Sequence, residues 1–201
     1  MTAASADIID LLAGIAPGDT LSAVRDQRAQ ARENAQRSFA ALLEPEDAGT
    51  FPLAERYAVA AFVAQLHAFA EAADFYGDLL GDEAPGLTDA VAAAARSAAA
   101  TGPFGAYREP GLRSESTTGA HWSADATLGA RLAAALTHAH LLVFRPRESS
   151  PEALRALVDA GWSADDIVSL SQLVAFLSFQ LRVAWGLRVL ARTPALVAEG
   201  A

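Results

Sequence analysis

The stretch D166-IVSLSQLVAFLSFQLRVAWGLRV-L190 decides how this chain folds. It is apolar over about seven helical turns, yet it carries Ser169, Ser171, Gln172, Ser178, Gln180 and Arg182. At helical spacing Leu170, Leu173, Leu177, Leu181 and Ala184 fall on one stripe, which reads as pure core. Ser171, Ala175, Ser178, Arg182 and Trp185 fall on a second stripe, suited to a helix–helix contact or to the wall of a polar cavity. A desolvated Arg182 needs a carboxylate or carbonyl partner, because an unpaired buried charge costs several kcal/mol. Glu55, Glu71 and Asp74 are the expected partners for it. The serines are expected to bond back to carbonyls of their own helix.

The flanking sequence is helical throughout. "SADD" at 163–166 is a cap with an acid three residues on. "SSPEALRALVDAG" places Ser150 at a cap, Pro151 at the first helical position and Gly161 at the stop. Gly and Pro punctuation marks further helices over 5–13, 20–43, 53–80 and 87–100, and one running from a Ser123 cap to Phe144. Residues 101–122 are rich in Gly, Pro, Ser and Thr and read as a long loop, either a flexible insertion or a cover over a pocket or contact. Laying 53–80 over 163–190 pairs two apolar segments that each start with an acidic residue, which suggests two related helical halves. The expectation is an all-α chain of one compact domain over 1–201, with an N-terminal half at about 20–100, the loop at 101–122 and a C-terminal half at 123–192.

Composition narrows the function. The 201 residues include no cysteine and no lysine, and the net charge is -9. Disulfides, thiolate metal sites and thiol catalysis are therefore excluded, and the clustered basic surface that nucleic acid requires is missing. The N-terminal "MTAASADIIDLLAG" has neither a basic leader nor a long apolar run, from which a cytoplasmic location is expected. Charged and polar interruptions in every apolar segment argue against a membrane span.

The residues that carry chemistry sit on the two apolar segments. His67, Glu71, Asp74 and Asp78 follow at steps of four, three and four, a pattern that can hold a divalent metal or orient an imidazole base. No second His lies near in sequence, so no metal and no other cofactor is expected. His138 and His140, two apart on a helix, are expected to point different ways, and His121 beside Trp122 reads as packing or capping.

Together "LAERYAVAAFVAQLHAFAEAADFY" (53–76) and "ALRALVDAGWSADDIVSLSQLVAFLSFQLRVAWGLRVL" (153–190) resemble the alkylhydroperoxidase D-like, or carboxymuconolactone decarboxylase-like, superfamily. The second stretch is the stronger match, to the branch lacking cysteine. The resemblance implies an all-α fold of two related halves, assembled as a homo-oligomer through the long helices. Peroxidase members of that superfamily carry Glu, then Cys twelve residues on, a second Cys three further and a His four beyond that. From Glu55 these steps land on His67, Ala70 and Asp74, so thiol peroxidase chemistry is excluded. The decarboxylase branch works without cysteine, although its His-containing site is not matched here residue by residue. Two functions follow as expectations. In the first, Glu55, His67, Asp74 and Arg182 line a pocket between the halves, Arg182 holds a small carboxylate or carbonyl compound, and His67 or Glu55 moves a proton. In the second, the chain is a noncatalytic module that self-assembles through its polar helix stripe.

Overall fold

A computed structural model describes residues 7–119 and 121–193. It is all-α: no strand forms among these residues, and only an isolated bridge joins Gly105 to Thr117. The helices are α1 (Ile8–Ala13), α2 (Thr20–Asp26), α3 (Ala29–Leu43), α4 (Leu53–Leu66), α5 (Ala70–Glu83), α6 (Thr88–Ala98), α7 (Ala130–Phe144), α8 (Pro151–Asp159) and α9 (Ala164–Ala191).

Helix α9 is the axis on which α1, α3, α4 and α7 pack. Ser163 caps it by accepting the Asp166 N–H at 3.1 Å. The leucine stripe lies inside as its spacing requires, with Leu170, Leu173, Leu177, Leu181 and Ala184 all at 0–1% exposure. Each leucine so buried contributes about 1.5–3 kcal/mol. By length and composition α9 also passes as a membrane span, but half of its most apolar window is buried inside the protein, and packing accounts for its apolarity. Helix α4 is enclosed on nearly all sides, Ala58 to Ala64 lying at 0–1%, as expected of a helix that is apolar all round. Its alanines leave room for α6, α7 and α9 to come close. The buried Arg56 survives there because Nε donates to the Phe51 carbonyl at 2.7 Å and Nη1 to the Leu42 carbonyl at 2.6 Å.

Several boundaries depart from the sequence reading. The expected single helix over 53–80 is two helices: α4 stops at Leu66, Ala68 takes a left-handed conformation (φ 52°), and α5 folds back along α4. A non-glycine residue there costs about 1 kcal/mol. Phe69, 2% exposed and edge-on to Trp185 at 5.6 Å, offsets that cost by burial. The proposed equivalence of 53–80 with 163–190 therefore ends at this break, since α9 continues without one. Helix 20–43 is likewise split at Gln27 and Arg28. Helix α7 starts at Ala130 rather than after Ser123, behind a 3-10 turn at Ala126–Leu128 capped by Asp125. Residues 5 and 6 of the first expected helix lie outside the described residues.

Helices α5 and α9 are joined in the core by Tyr76, whose hydroxyl donates to Gln180 Oε1; both side chains are at 0% exposure. Gln180 Nε2 has no partner. Tyr76→Phe removes the one bond that Gln180 makes and should cost about 1–3 kcal/mol, read as a lower melting temperature. An unchanged melting temperature would show that this pair does not hold α5 to α9.

Candidate functional site

Two of the four expected site residues meet. His67 ends α4, and the turn after it carries Ala68 and Phe69 up to the outward side of α9. Together with Leu181, Arg182 and Trp185 these residues enclose a cleft of about 430 Å³. His67 Nε2 lies 3.3 Å from Ser178 Oγ. Burial, reinforced by the positive charge of Arg182, pushes the imidazole down from its usual 6.5 to about 4, so it is neutral at pH 7. Arg182 itself is exposed, and no carboxylate among the described residues pairs with it.

A second hollow of about 410 Å³ continues from Arg182 along α9, past Ser178, Ala175 and Ser171, and is closed by Pro103, Val143 and Pro146. The polar stripe read from the sequence is thus the floor of a groove. Its two serines behave differently. Ser171 Oγ donates to the Ile167 carbonyl at 2.8 Å, the back-bonding expected of it, and His138 Nε2 lies 3.1 Å away. Ser178 makes no bond to its own helix, and His67 is its partner. The expectation that the serines satisfy themselves holds for Ser171 and fails for Ser178.

Glu55 and Asp74 are elsewhere. Glu55 stands in the first turn of α4, twelve residues or about 18 Å of helix from His67. Arg131 on α7 donates from Nε to both of its oxygens at 3.0 and 3.1 Å, from Nη1 to the Gly161 carbonyl at 2.7 Å, and from Nη2 to the Thr50 carbonyl at 2.8 Å. The guanidinium also covers the Trp162 ring at 4.1 Å and approaches Asp166 at 3.6 Å. Burial raises the Glu55 carboxyl above its usual value, against the pull of Arg131. This cluster ties together the starts of α4, α7 and α9, and it is a joint rather than part of the cleft. Asp74 is exposed on α5, and Glu71 pairs with Arg188 instead of Arg182. The single pocket lined by Glu55, His67, Asp74 and Arg182 therefore does not form. It presupposed an unbroken helix over 53–80, and the break at Ala68 places His67 and the acids of α5 on different helices.

Residues that looked unremarkable in the sequence surround another pocket. His121, His138 and His140 all line a hollow of about 310 Å³ with Trp122 and Arg145, and His138 and His140 point different ways as expected, His138 to Ser171 of α9 and His140 to the Trp122 ring. The available signal was "THAH" itself, two imidazoles in a helix whose neighbours are Ala and Leu. His138 and His140 are 5% and 2% exposed, and burial lowers the pKa of both. Among the described residues no three His, Asp or Glu side chains are grouped so as to hold a metal ion.

The cleft at Arg182 combines an uncommitted cation, a neutral imidazole held by the Ser178 hydroxyl of the neighbouring hollow, and two aromatic walls. Such a site can bind an anion with an apolar body and present an acceptor nitrogen to it. No family model, curated protein or solved structure matches the chain.

Proposed function

We propose that this chain is a cysteine-free relative of the alkylhydroperoxidase D-like superfamily that binds, and acts by acid/base chemistry on, a small carboxylate or carbonyl compound in the cleft between the end of α4 and α9. The observation that carries the reading is the meeting of His67 and Arg182 in one cleft, the first neutral and half-buried, the second charged and without a carboxylate partner. Arg182 anchors the carboxylate by charge-assisted hydrogen bonds, while Phe69 and Trp185 hold the apolar body. A base of pKa about 4 is weak at pH 7. A bound carboxylate corrects this: it neutralises Arg182, whose charge helps to depress His67, and it favours the imidazolium. Binding thus moves His67 toward the range in which it can take and return a proton, with the Ser178 hydroxyl holding Nε2.

Benzoate serves as the probe. The native protein should bind it, the His67 pKa should rise on binding, and Arg182→Gln should weaken affinity by about tenfold or more, the worth of a charged hydrogen bond. Equal affinity in Arg182→Gln, or a His67 pKa that does not move, would overturn the reading.

A specific pattern favours self-assembly as a second reading. Val168, Gln172, Ala175, Phe179, Arg182, Gly186 and Val189 recur at steps of four and three along α9 and are all exposed, which is the seam of a left-handed helix pair. The pattern is nearly the same read in either direction about Phe179, so two antiparallel copies would place Val168 near Val189 and Ala175 near Arg182 across a twofold axis. Sedimentation of Arg182→Ala separates the readings: dissociation of an assembly supports the seam, and an unaltered sedimentation coefficient with benzoate binding lost supports the cleft.

A further inference from the structure

The hollow that runs along α9 from Arg182 to Ser171 is charged at one end only. Arg182 lines both this hollow and the His67 cleft, so the two adjoin at that residue. No other charged or titratable residue lines the hollow. The two hydroxyls along it are already engaged, Ser178 with His67, and Ser171 with the Ile167 carbonyl and His138. The rest of the lining is aliphatic: Val174 and Ala175 from α9, Leu142 and Val143 from α7, and Pro103 and Pro146 at the exposed rim.

The wall that carries Pro103 is tied down. Phe104 N–H donates to the Phe144 carbonyl at 2.6 Å, and Thr117 Oγ1 donates to the Pro103 carbonyl at 3.0 Å. Arg145 Nη1 donates to the Gly119 carbonyl at 2.6 Å, which fastens the other side of the same segment to the end of α7. Gly102 allows so close a passage, because a Cβ there would stand 2.8 Å from the Phe144 ring. The hollow therefore has a built shape. From Ser171 to Arg182 it follows eleven residues of α9, about 16 Å of helix. An extended alkyl chain advances about 1.3 Å per carbon, given a C–C bond of about 1.5 Å, so about eight to ten carbons span it once the reach of Arg182 is allowed for.

We propose that the ligand of the Arg182 site is a straight-chain aliphatic carboxylate of about eight to ten carbons, its head on Arg182 beside His67 and its chain lying along Ala175 between Val174 and Leu142. This class rests on the anion reading of Arg182 given above, to which the hollow adds length and shape. The charge at one end selects the carboxylate. The aliphatic walls select the chain, since a polar ligand laid there would leave water for two hydroxyls that are already bonded.

Calorimetric titration of the full chain with butanoate, hexanoate, octanoate and decanoate reads the length of the hollow. Complete burial of a methylene is worth about fourfold in affinity; with the rim open, about twofold per methylene is expected, and octanoate should bind about tenfold or more tighter than butanoate. Octan-1-ol, with the same chain and no charge, should bind about tenfold or more weaker than octanoate. Ala175→Leu, a change at an exposed position of α9 that fills the middle of the hollow, should abolish the gain from butanoate to octanoate. Benzoate, whose ring lies on the Trp185 side of Arg182, should keep its affinity for that variant. The proposal is overturned if chain length has no effect in the native protein, if octan-1-ol binds as tightly as octanoate, or if the length dependence survives in Ala175→Leu. Benzoate separates this failure from that of the cleft: benzoate bound without any gain from chain length overturns the aliphatic class alone, whereas no binding of either acid overturns both. A native chain that sediments as a dimer and shows no length dependence assigns the hollow to a second copy and likewise overturns the proposal.

Discussion

Arg131→Ala should be the most damaging single polar substitution in the protein, with a loss of about 2–4 kcal/mol in the free energy of unfolding. One guanidinium satisfies a carboxylate and two backbone carbonyls and lies on Trp162. The side chain is 27% exposed, and those of Glu55 and Asp166 are 16% and 10% exposed. Truncating it leaves two largely buried carboxylates close together with no cation between them, which is worse than losing a surface ion pair worth at most about 1 kcal/mol. Lysine should recover only part of the loss, because a point charge cannot reach Glu55, Gly161 and Thr50 at once as the planar fork does. The check is a urea unfolding series on Arg131→Ala and Arg131→Lys. A loss below about 1 kcal/mol for the alanine variant would reduce the cluster to an ordinary surface pair.

Acidification from pH 7.5 to pH 4.5 should destabilise the fold well before its carboxylates titrate. His67 has a folded-state pKa of about 4 against 6.5 for the free side chain, because burial and Arg182 disfavour its charged form. Between those values the unfolded chain takes up a proton that the folded chain refuses. The contribution of His67 is therefore complete above about pH 6.5 and is lost as pH falls toward 4. A shift of that size corresponds to about 3.4 kcal/mol, of which about 2–3 kcal/mol is lost by pH 4.5. His138 and His140, also lowered by burial, add loss of the same sign. Asp7 and Asp166, held below the usual carboxylate value by hydrogen bonds and arginine partners despite burial, extend the decline to more acid pH. Glu55, raised by burial, acts the other way. Urea midpoints across this range should fall steadily, with a shallower slope in His67→Asn. A flat profile down to pH 4.5 would mean that the imidazoles are not held neutral.

The half-buried position of His67 and the cleft beside Arg182 both come from the break in the chain after His67. Periodicity made α9 legible in full: its cap, its leucine stripe and its polar stripe are where the spacing puts them, because each depends only on 3.6-residue geometry and burial. The break at Ala68 was not legible, since nothing in "QLHAFAEA" stops a helix by propensity. It is set by tertiary packing, with Phe69 buried against Trp185 and α5 returned along α4. From that single miss came the misplacement of Asp74 and the false stripe of His67, Glu71, Asp74 and Asp78. Glu55 was expected in a pocket with Arg182, but its partner is Arg131, 76 residues away, and no local pattern announces such a pair. Arg182 was expected to be desolvated and paired. It faces outward because the leucine stripe already claims the buried side of α9, and that freedom is what makes it a ligand group.

A crystal structure of the protein grown with benzoate decides between the cleft and the seam, which compete for the same surface of α9. The carboxylate is expected within hydrogen-bond distance of Arg182, the ring between Phe69 and Trp185, and His67 Nε2 still on Ser178. A cleft closed by α9 of a second copy, with Val168 against Val189 and no benzoate at Arg182, would contradict the cleft reading.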